Sequence, residues 1–452
     1  MVKHYLTWPC GFADKLQAIF EIFPIGSGHR RSLRGSFCCA RRDGIRNVLE
    51  VIKNAVSANE HRAIGEAQVS LPPRATPNLA PAALQMLRDV PLDSWQSLAA
   101  RAAEPNGYYL PDWSLAADIF LRGRTENRAL SAWNESGETL LGLMPAVSAW
   151  RAYGLPLPAL VTADVYPPLG TVLLDRDNAD QAAGRLMRQA RAVGARALIL
   201  RDTPLDGPVM AAFTRAMAWE GLQTHVLHSH ARALLDATRD ADELLREALG
   251  AKKLKELRRQ HHRLADIGEV MFTIAATPED IAPALEVFLQ LEASGWKARR
   301  GTALLQDEAH LAFICRAVRD MAARGACEVV SLYAGETPVA AAIVLRHLDR
   351  AFYFKLGVDE RFAKCSPGVL LTLELTRYMC ADDSIASVDS IATPDHPMID
   401  PIWRGRLPIG DVLIPLRRRD PLVGAIRVAL DLRRRIREPA RRVVHAIRKQ
   451  RS

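Results

Sequence analysis

Apolar and polar positions along the chain predict two runs of strands and helices in the same order. In the first run, apolar strands over Ala129–Trp133 and Thr139–Ala149 flank a turn, and a helix follows over Ala179–Ala192. The elements of the second run are predicted over Cys327–Tyr333, Pro338–Leu345, Ala351–Gly357 and Gly368–Cys380. Strands that alternate with helices are typical of layered α/β proteins, so we predict an α/β fold.

The same three residues, Gly-Glu-Thr, form the predicted turn in both runs. They stand at Gly137–Thr139 and at Gly335–Thr337, each time between two apolar strands. Three residues can recur by chance, but their recurrence in the same context indicates a duplicated unit.

The length of 452 residues exceeds what one compact core usually contains, which favours two or three domains. Within residues 1–88, Gly26–Arg46 shows no helical or strand period, Asp43–Ala58 could form a short helix, and Leu71–Pro81 carries four prolines. The predicted segments are a poorly ordered extension with a Pro-rich linker (1–88), an N-terminal unit (89–240), a C-terminal unit (241–416) and a basic tail (417–452).

The formal charge of +9 is concentrated in the tail. Residues 417–452 hold 13 basic and 3 acidic residues, so the rest of the chain, with 47 and 48, is close to neutral. A neutral body argues against nucleic acid as a general partner. Within the body, the predicted helix over Lys252–Arg263 carries six basic residues. A solvated face is the favoured interpretation there, and steering of an anionic donor is the alternative.

Apolar residues in the tail recur at helical spacing and alternate with arginines. Leu422, Val423, Ile426, Leu430 and Ile436 fall on one side of a predicted helix. Such a basic amphipathic helix can bind an anionic membrane surface or an acidic protein partner, or it can remain a solvated extension.

Cysteine usage and hydropathy indicate the cellular compartment in which the protein is expected. The seven cysteines form no CxxC pair, so neither a disulfide framework nor a metal site is predicted. No window has the roughly 18 apolar residues that a membrane-spanning helix needs. We therefore predict a cytoplasmic location. Peripheral attachment to the inner face of the membrane stays open as an alternative.

The turn before the predicted helix at Gly368 is the first candidate site. Ser366 suits an N-cap and Pro367 suits the first helical position. A helix start presents backbone N–H groups and the positive end of the helix dipole, which can hold a phosphate or diphosphate. The alternative is a well-capped helix that binds nothing.

The loop that follows the next strand is the second candidate site. The strand itself carries Asp389, and the loop carries Asp395, His396 and Asp400. Histidine titrates near neutral pH, and a carboxylate beside it could orient the ring for general-base catalysis. We predict His396 as the base, supported by Asp389 or Asp395. A surface loop with a capping aspartate is the alternative.

Several short motifs in this order resemble the GNAT-like CelD/BcsL acetyltransferase family, which is associated with cellulose and exopolysaccharide synthesis, and more distantly the Fem-type aminoacyltransferases. The motifs are Leu140–Pro145, Pro168–Gly170, Lys252–Gly268, Leu291–Gly301 and Ser366–Gly368. The resemblance implies tandem GNAT-like units, each a mixed, mostly antiparallel sheet flanked by helices, with the basic amphipathic helix at the C-terminus.

The resemblance also implies an acyl-CoA donor beside the Ser366 turn. The donor-binding residues it indicates are Lys364, Cys365, Ser366, Gly368 and Val369. The expected acceptor-binding residues are Trp296 and Lys297, by their position in the family, and Asp400 and Trp403, by their position in the second candidate loop. A strand amide within Val339–Val344 is expected to stabilise the oxyanion.

The expected function is transfer of an acetyl or acyl group from acyl-CoA to an amine or hydroxyl of a cell-surface polysaccharide or its precursor. Two alternatives stay open. One is a Fem-type transferase that uses aminoacyl-tRNA, and the other is a non-catalytic scaffold of polysaccharide synthesis.

Overall fold

A computed structural model describes residues 84–121, 127–163, 166, 168–294 and 303–450. The predicted extension therefore lies, up to residue 83, outside the described residues. In the described ranges, thirteen strands form one mixed sheet, with ten antiparallel and two parallel pairs. Helices cover both faces of this sheet, which confirms the predicted α/β fold class.

Twelve strands follow one path across the sheet, in the order β1-β2-β3-β4-β6-β13-β7-β12-β11-β10-β9-β8, and β5 pairs with β3. The strands are β1 Gln85–Met86, β2 Arg128–Trp133, β3 Leu140–Ser148, β4 Ala159–Thr162, β5 Leu173–Leu174, β6 Ala197–Pro204, β7 His225–Asp236, β8 Val270–Ala275, β9 Cys327–Ala334, β10 Thr337–His347, β11 Arg350–Val358, β12 Ser387–Asp389 and β13 Gly405–Pro415.

The helices are α1 Leu92–Ala100, α2 Pro111–Phe120, α3 Ala149–Tyr153, α4 Ala179–Ala192, α5 Pro208–Ala218, α6 Ala241–Ala265, α7 Pro278–Ser294, α8 Glu308–Ala322, α9 Pro367–Cys380 and α10 Pro421–Gln450. Short 3₁₀ turns lie at Leu87–Asp89, Gly107–Tyr109, Leu304–Gln306 and Glu360–Cys365. In the part of the chain described, no helix is long and apolar enough to cross a membrane.

The two predicted runs have the same topology. In each, a hairpin (β2–β3 or β9–β10) is followed by an antiparallel strand (β4 or β11), a crossover helix (α4 or α9) and a parallel strand (β6 or β12). Gly137 and Gly335 occupy the hairpin turns with φ of 76° and 59°, which glycine adopts at little cost. The duplicated unit is confirmed as a repeated arrangement of strands and helices.

The two runs are joined within the sheet itself. β12 of the second run pairs antiparallel with β7, and β13 lies between β6 and β7. The predicted boundary at residue 416 assigns β13 to the C-terminal unit, whereas its hydrogen bonds join it to strands that precede residue 240.

Four clusters of buried side chains fill the space between helices and sheet. In the half that contains β8–β12, helices α2, α7 and α8 cover one face, and α6 and α9 cover the other. In the other half, α4 and α5 cover one face, and α3 and the first turns of α10 cover the other. Both faces of the sheet are therefore buried, which explains why β3, β9 and β10 are almost continuously apolar.

Candidate active site

The two parallel strands of the second run separate soon after they begin to pair. β11 and β12 are in register only from Arg350–Phe352 to Ser387–Asp389. β12 ends there, whereas β11 continues to Val358. No other described strand pairs with that edge of β11 beyond Phe352. The far end of β11, with the residues beyond Phe352, therefore lies apart from β12.

A β-bulge lies at the point of separation. In the pairing of β10 with β11, Ile343 faces Lys355 but Val344 faces Tyr353, so Phe354 is an extra residue. Bulges redirect side chains and end strand pairing, and they are frequent beside active sites. Here the extra residue brings Phe354 and Lys355 to the same face of the sheet, the face that carries Phe352.

The bulge directs Lys355 into a half-buried polar cluster. Its Nζ donates to the Tyr166 hydroxyl at 3.2 Å, lies 3.6 Å from Oε1 of Glu292, and is 5.2 Å from the centroid of the Tyr166 ring. Burial lowers the pKa of Lys355, and the Glu292 carboxylate opposes that shift. The cluster therefore holds the Lys355 side chain among polar groups beside the bulge.

Glu292 lies at the C-terminal end of α7, and its side chain is fully buried. Its Oε2 accepts a 2.9 Å hydrogen bond from the N–H of Leu304. The helix passes so close to β11 that a Cβ on Gly357 would lie 2.8 Å from the Glu292 nitrogen, so only glycine fits at this position. The predicted acceptor residues Trp296 and Lys297 fall in the segment 295–302, outside the described residues.

Asp389 forms the opposite wall, at the end of β12. Its Oδ2 accepts from a terminal guanidinium nitrogen of Arg232 at 2.5 Å, and its Oδ1 accepts from the N–H of Ile391 at 2.9 Å. Both ionic side chains are completely buried. Asp389 thereby fixes the turn at Ile391, where φ is +51°. Among the described contacts of Asp389, none involves His396.

The predicted donor turn connects the end of β11 to α9. Ser366 occupies the N-cap position of α9 in the left-handed region (φ 48°), and its side chain makes no capping hydrogen bond. Its carbonyl accepts from the N–H groups of Val369 and Leu370 at 3.0 and 3.1 Å. Of the predicted donor residues inside the helix, Val369 therefore has its amide engaged, while the Gly368 N–H has no partner among the described residues.

The donor turn is open to solvent. Arg361 and Lys364 are exposed, and Cys365 and Ser366 are half-buried. Helix α6 packs against this turn. All six of its basic side chains at positions 252–263 are exposed, as a solvated face requires. Pro367 and Gly368 are buried, and Arg361 is ion-paired with Asp359, so the exposed cation of the turn that could meet a diphosphate is Lys364.

His396 lines a separate open cavity of about 580 Å³. The cavity is lined by Asp395, His396, Pro397, Asp400, Pro401, Arg404 and Arg406. The His396 Nδ1 accepts a long 3.4 Å hydrogen bond from the Ile399 N–H. Asp395 is exposed with φ of +57°. Within the described part of the chain, no carboxylate is hydrogen-bonded or ion-paired to His396.

Two further predicted residues have different environments. Asp400 lines the His396 cavity, with its Oδ2 3.5 Å from a guanidinium nitrogen of Arg406. Trp403 is 1% exposed, and its indole N–H donates to Oγ1 of Thr376 at 2.9 Å. Trp403 therefore packs in the core between α9 and the sheet. The amide expected within Val339–Val344 to stabilise the oxyanion lies in β10. That stretch pairs with β9 on one side and with β11 on the other, so its backbone is engaged within the sheet.

Sequence reasoning missed the polar cluster at the bulge. Lys355 is the single charge inside an aromatic and apolar strand, and Glu292 is the single charge in the last two turns of an apolar helix. A lone charge in a segment predicted to be buried is the signal that could have identified both residues.

The Acetyltransferase (GNAT) domain family matches residues 251–396. The matched segment contains β8 to β12, and with them the bulge, the donor turn and His396. This match, together with the mixed sheet and its flanking helices, identifies the fold as that of a GNAT-type acyltransferase. A comparison with curated proteins gives no match.

Solved structures with a similar fold include FemX, at 12% identity over 75% of this chain and 98% of that chain, with a TM-score of 0.50. A tandem GNAT protein from the clavulanic acid biosynthesis pathway matches at 14% identity over 75% and 98%, with a TM-score of 0.34. The C-terminal domain of a protein assigned as a lysylphosphatidylglycerol synthetase, from Agrobacterium fabrum, matches at 13% identity over 75% and 95%, with a TM-score of 0.45. At these identities the likeness concerns the fold alone.

Proposed function

We propose that this chain transfers an acyl group from acyl-CoA to an amine or hydroxyl acceptor, in one direct displacement. The observation that carries this proposal is the separation of β11 from β12 at the Phe354 bulge, with the partly exposed turn before α9 beyond the far end of the same strand. A thioester whose diphosphate is held at that turn can extend along β11 towards the bulge.

Each part of the site has a role in this proposal. The exposed Lys364 ammonium holds the diphosphate at the donor turn. The Lys355 ammonium stabilises the negative charge that develops on the thioester oxygen, as a preorganised cation in a water-poor site can. When bound, acyl-CoA supplies an activated carbonyl group. The acceptor replaces the thiolate, and the proton of the acceptor passes to a base on the enzyme.

Two residues are candidates for that base. The Glu292 carboxylate lies 3.6 Å from the Lys355 ammonium beside the bulge. His396, the base predicted from the sequence with Asp389 or Asp395, lines its own cavity. Asp389 is engaged by Arg232, so a carboxylate partner for His396 would have to be Asp395. We favour Glu292 because it is adjacent to the reacting edge, and variants of both residues distinguish them.

One reaction centre, in the C-terminal unit 241–416, is proposed. In the N-terminal unit 89–240, β4 and β6 also pair over only three residues before they separate. There the chain itself fills the gap. The Gly170 N–H donates to the Asp202 carbonyl at 3.2 Å, and the Thr162 hydroxyl accepts from the Arg201 N–H at 2.9 Å. A Cβ on Gly170 would collide with the Arg201 carbonyl.

The acceptor class proposed is a sugar or related precursor of the cell surface. It rests on the resemblance of the sequence motifs to the CelD/BcsL family.

The test compares the same substitution at two lysines. Lys355→Met is expected to lower kcat for thiol release from acetyl-CoA, with glucosamine as acceptor, by about 10²–10³-fold, with little change in acetyl-CoA affinity by calorimetry. Lys364→Met is expected to weaken acetyl-CoA binding and leave kcat nearly unchanged. Wild-type kcat in Lys355→Met would overturn the proposed reaction centre. Glu292→Gln and His396→Ala then show which residue is the base.

A transferase that uses aminoacyl-tRNA is the second candidate. The exposed basic side chains of α6, beside the donor turn, favour it. It predicts tRNA binding that weakens steeply with salt, by a slope set by the number of phosphate contacts. Binding of acetyl-CoA without such tRNA binding selects the first candidate, and binding of neither selects a non-catalytic scaffold.

A further inference from the structure

Helix α10 carries two apolar stripes, and only one of them faces the protein. The inner stripe consists of Val423, Ile426 and Leu430, which are at most 9% exposed. It packs on a cluster that includes Val161 and Leu413 of the sheet. The first turns of the helix are therefore fixed on the body of the protein.

The outer stripe consists of Leu422, Val428, Leu432 and Ile436, which are 42%, 69%, 56% and 63% exposed. At about 100° per residue these side chains share one face, which is turned by about 130° from the inner stripe. Packing on the core does not explain this face. Large exposed apolar surfaces that are contiguous and bordered by polar residues usually mark a binding surface.

The surroundings of the outer stripe are basic. Arg427 and Arg435 are exposed on the same helix, and Asp431 lies between them. Residues 417–452 carry 13 basic and 3 acidic residues, and the helix backbone continues to Gln450. A second copy of this helix would bring two such strongly basic segments together, which is unfavourable. An anionic surface complements them.

We propose that the outer stripe binds the surface of an anionic lipid bilayer, with α10 lying in the plane of the interface. The apolar side chains enter the boundary between headgroups and acyl chains, and the arginines contact lipid phosphates, which is the usual arrangement for an interfacial helix. Because the inner stripe stays on the sheet, the whole body is held at the membrane surface. This inference does not depend on the proposed catalytic function.

The test measures binding of the full chain to vesicles of phosphatidylcholine alone and of phosphatidylcholine with about 30% phosphatidylglycerol, by flotation. The wild type is expected to bind only the anionic vesicles, and less at high salt. Leu432→Gln with Ile436→Gln is expected to reduce binding by about tenfold or more. Trp219→Gln is the matched control, because Trp219 is 90% exposed at the end of α5 and lies off α10.

The melting temperature of the double variant, followed by circular dichroism, is expected to match the wild type, since both side chains are more than half exposed. Equal binding by the double variant and the wild type, or no binding by the wild type, overturns the proposal. A change from dimer to monomer in the double variant without lipid, together with no vesicle binding, would instead assign the stripe to a second copy.

Discussion

At the scale of single residues, Glu104 illustrates how burial sets a charge state. It lies between α1 and α2, is 3% exposed, and accepts a 3.3 Å hydrogen bond from the Val209 N–H at the start of α5. Burial raises the pKa of Glu104 to about 7, and Arg350 partly offsets this rise. The folded protein therefore retains this proton at pH values where the unfolded chain has released it.

The consequence is a pH-dependent contribution to stability with a definite sign. The folded pKa is raised, so the contribution of Glu104 is complete below the unfolded value of 4.5 and is lost as the pH rises to about 7. Each pKa unit corresponds to about 1.4 kcal/mol, which gives a total of about 3 kcal/mol. Glu104→Gln keeps an acceptor for Val209 but cannot ionise.

We expect urea unfolding to show Glu104→Gln gaining up to that amount relative to the wild type between pH 5 and pH 8. The comparison between the two proteins removes the contributions of all other titrating groups. A difference that is constant across this range would contradict the assignment.

Single residues are also where sequence reasoning was least complete. The sequence shows Lys355 in an apolar strand but not the bulge that redirects it, because a bulge depends on the register with β10. It shows His396 and Asp389 seven residues apart, but not that the Asp389 carboxylate is already paired with Arg232 from a distant strand. Trp403 lies in a loop with Asp400 and Pro401, yet it is buried beneath α9.

At the scale of elements, the long apolar strands and the helices with a clear period were predictable. β3, β9, β10 and β11 bury both faces and appear as apolar runs, and α4 shows strong helical spacing. β7 and β13 were not predicted. β7 contains three histidines, and its Val226 and Ala231 are exposed. Its own sequence therefore has no clear strand pattern, and its pairing with β12 and β13 depends on tertiary contacts.

The two stripes of α10 predict that similar substitutions change the free energy of unfolding by different amounts. Ile426 is 1% exposed, and Ile426→Ala should lower the free energy of unfolding by about 2–4 kcal/mol, because it removes buried methyl groups and leaves a cavity. Val428 is 69% exposed on the outer stripe, so Val428→Ala should change it by less than about 0.5 kcal/mol. Denaturant titration measures both. Equal losses would contradict the orientation of the helix.

At the scale of the whole molecule, the Arg232–Asp389 ion pair joins the two halves of the sheet. Arg232 is on β7 and Asp389 on β12, and another guanidinium nitrogen of Arg232 donates to the Pro168 carbonyl at 2.8 Å. Both side chains are completely buried, so the loss of one partner leaves the other charge without compensation.

Asp389→Asn should therefore lower the stability of the whole described body, by about 3–5 kcal/mol. Because the sheet is continuous across this pair, tryptophan fluorescence and far-UV circular dichroism should report one coincident unfolding transition in the wild type and in the variant. Two separated transitions would show that the halves unfold independently and would contradict the expected coupling.

The position of β13 has a consequence for synthesis of the protein. This strand is made after both repeated runs, yet it lies between β6 and β7, which are made some two hundred residues earlier. Until Pro415 has left the ribosome, those two older strands have no neighbour on their facing edges, and unpaired strand edges attract the wrong partners. The nascent chain thus keeps two unpaired strand edges from the synthesis of Asp236 until that of Pro415, and chaperones that shield such edges would act in this interval.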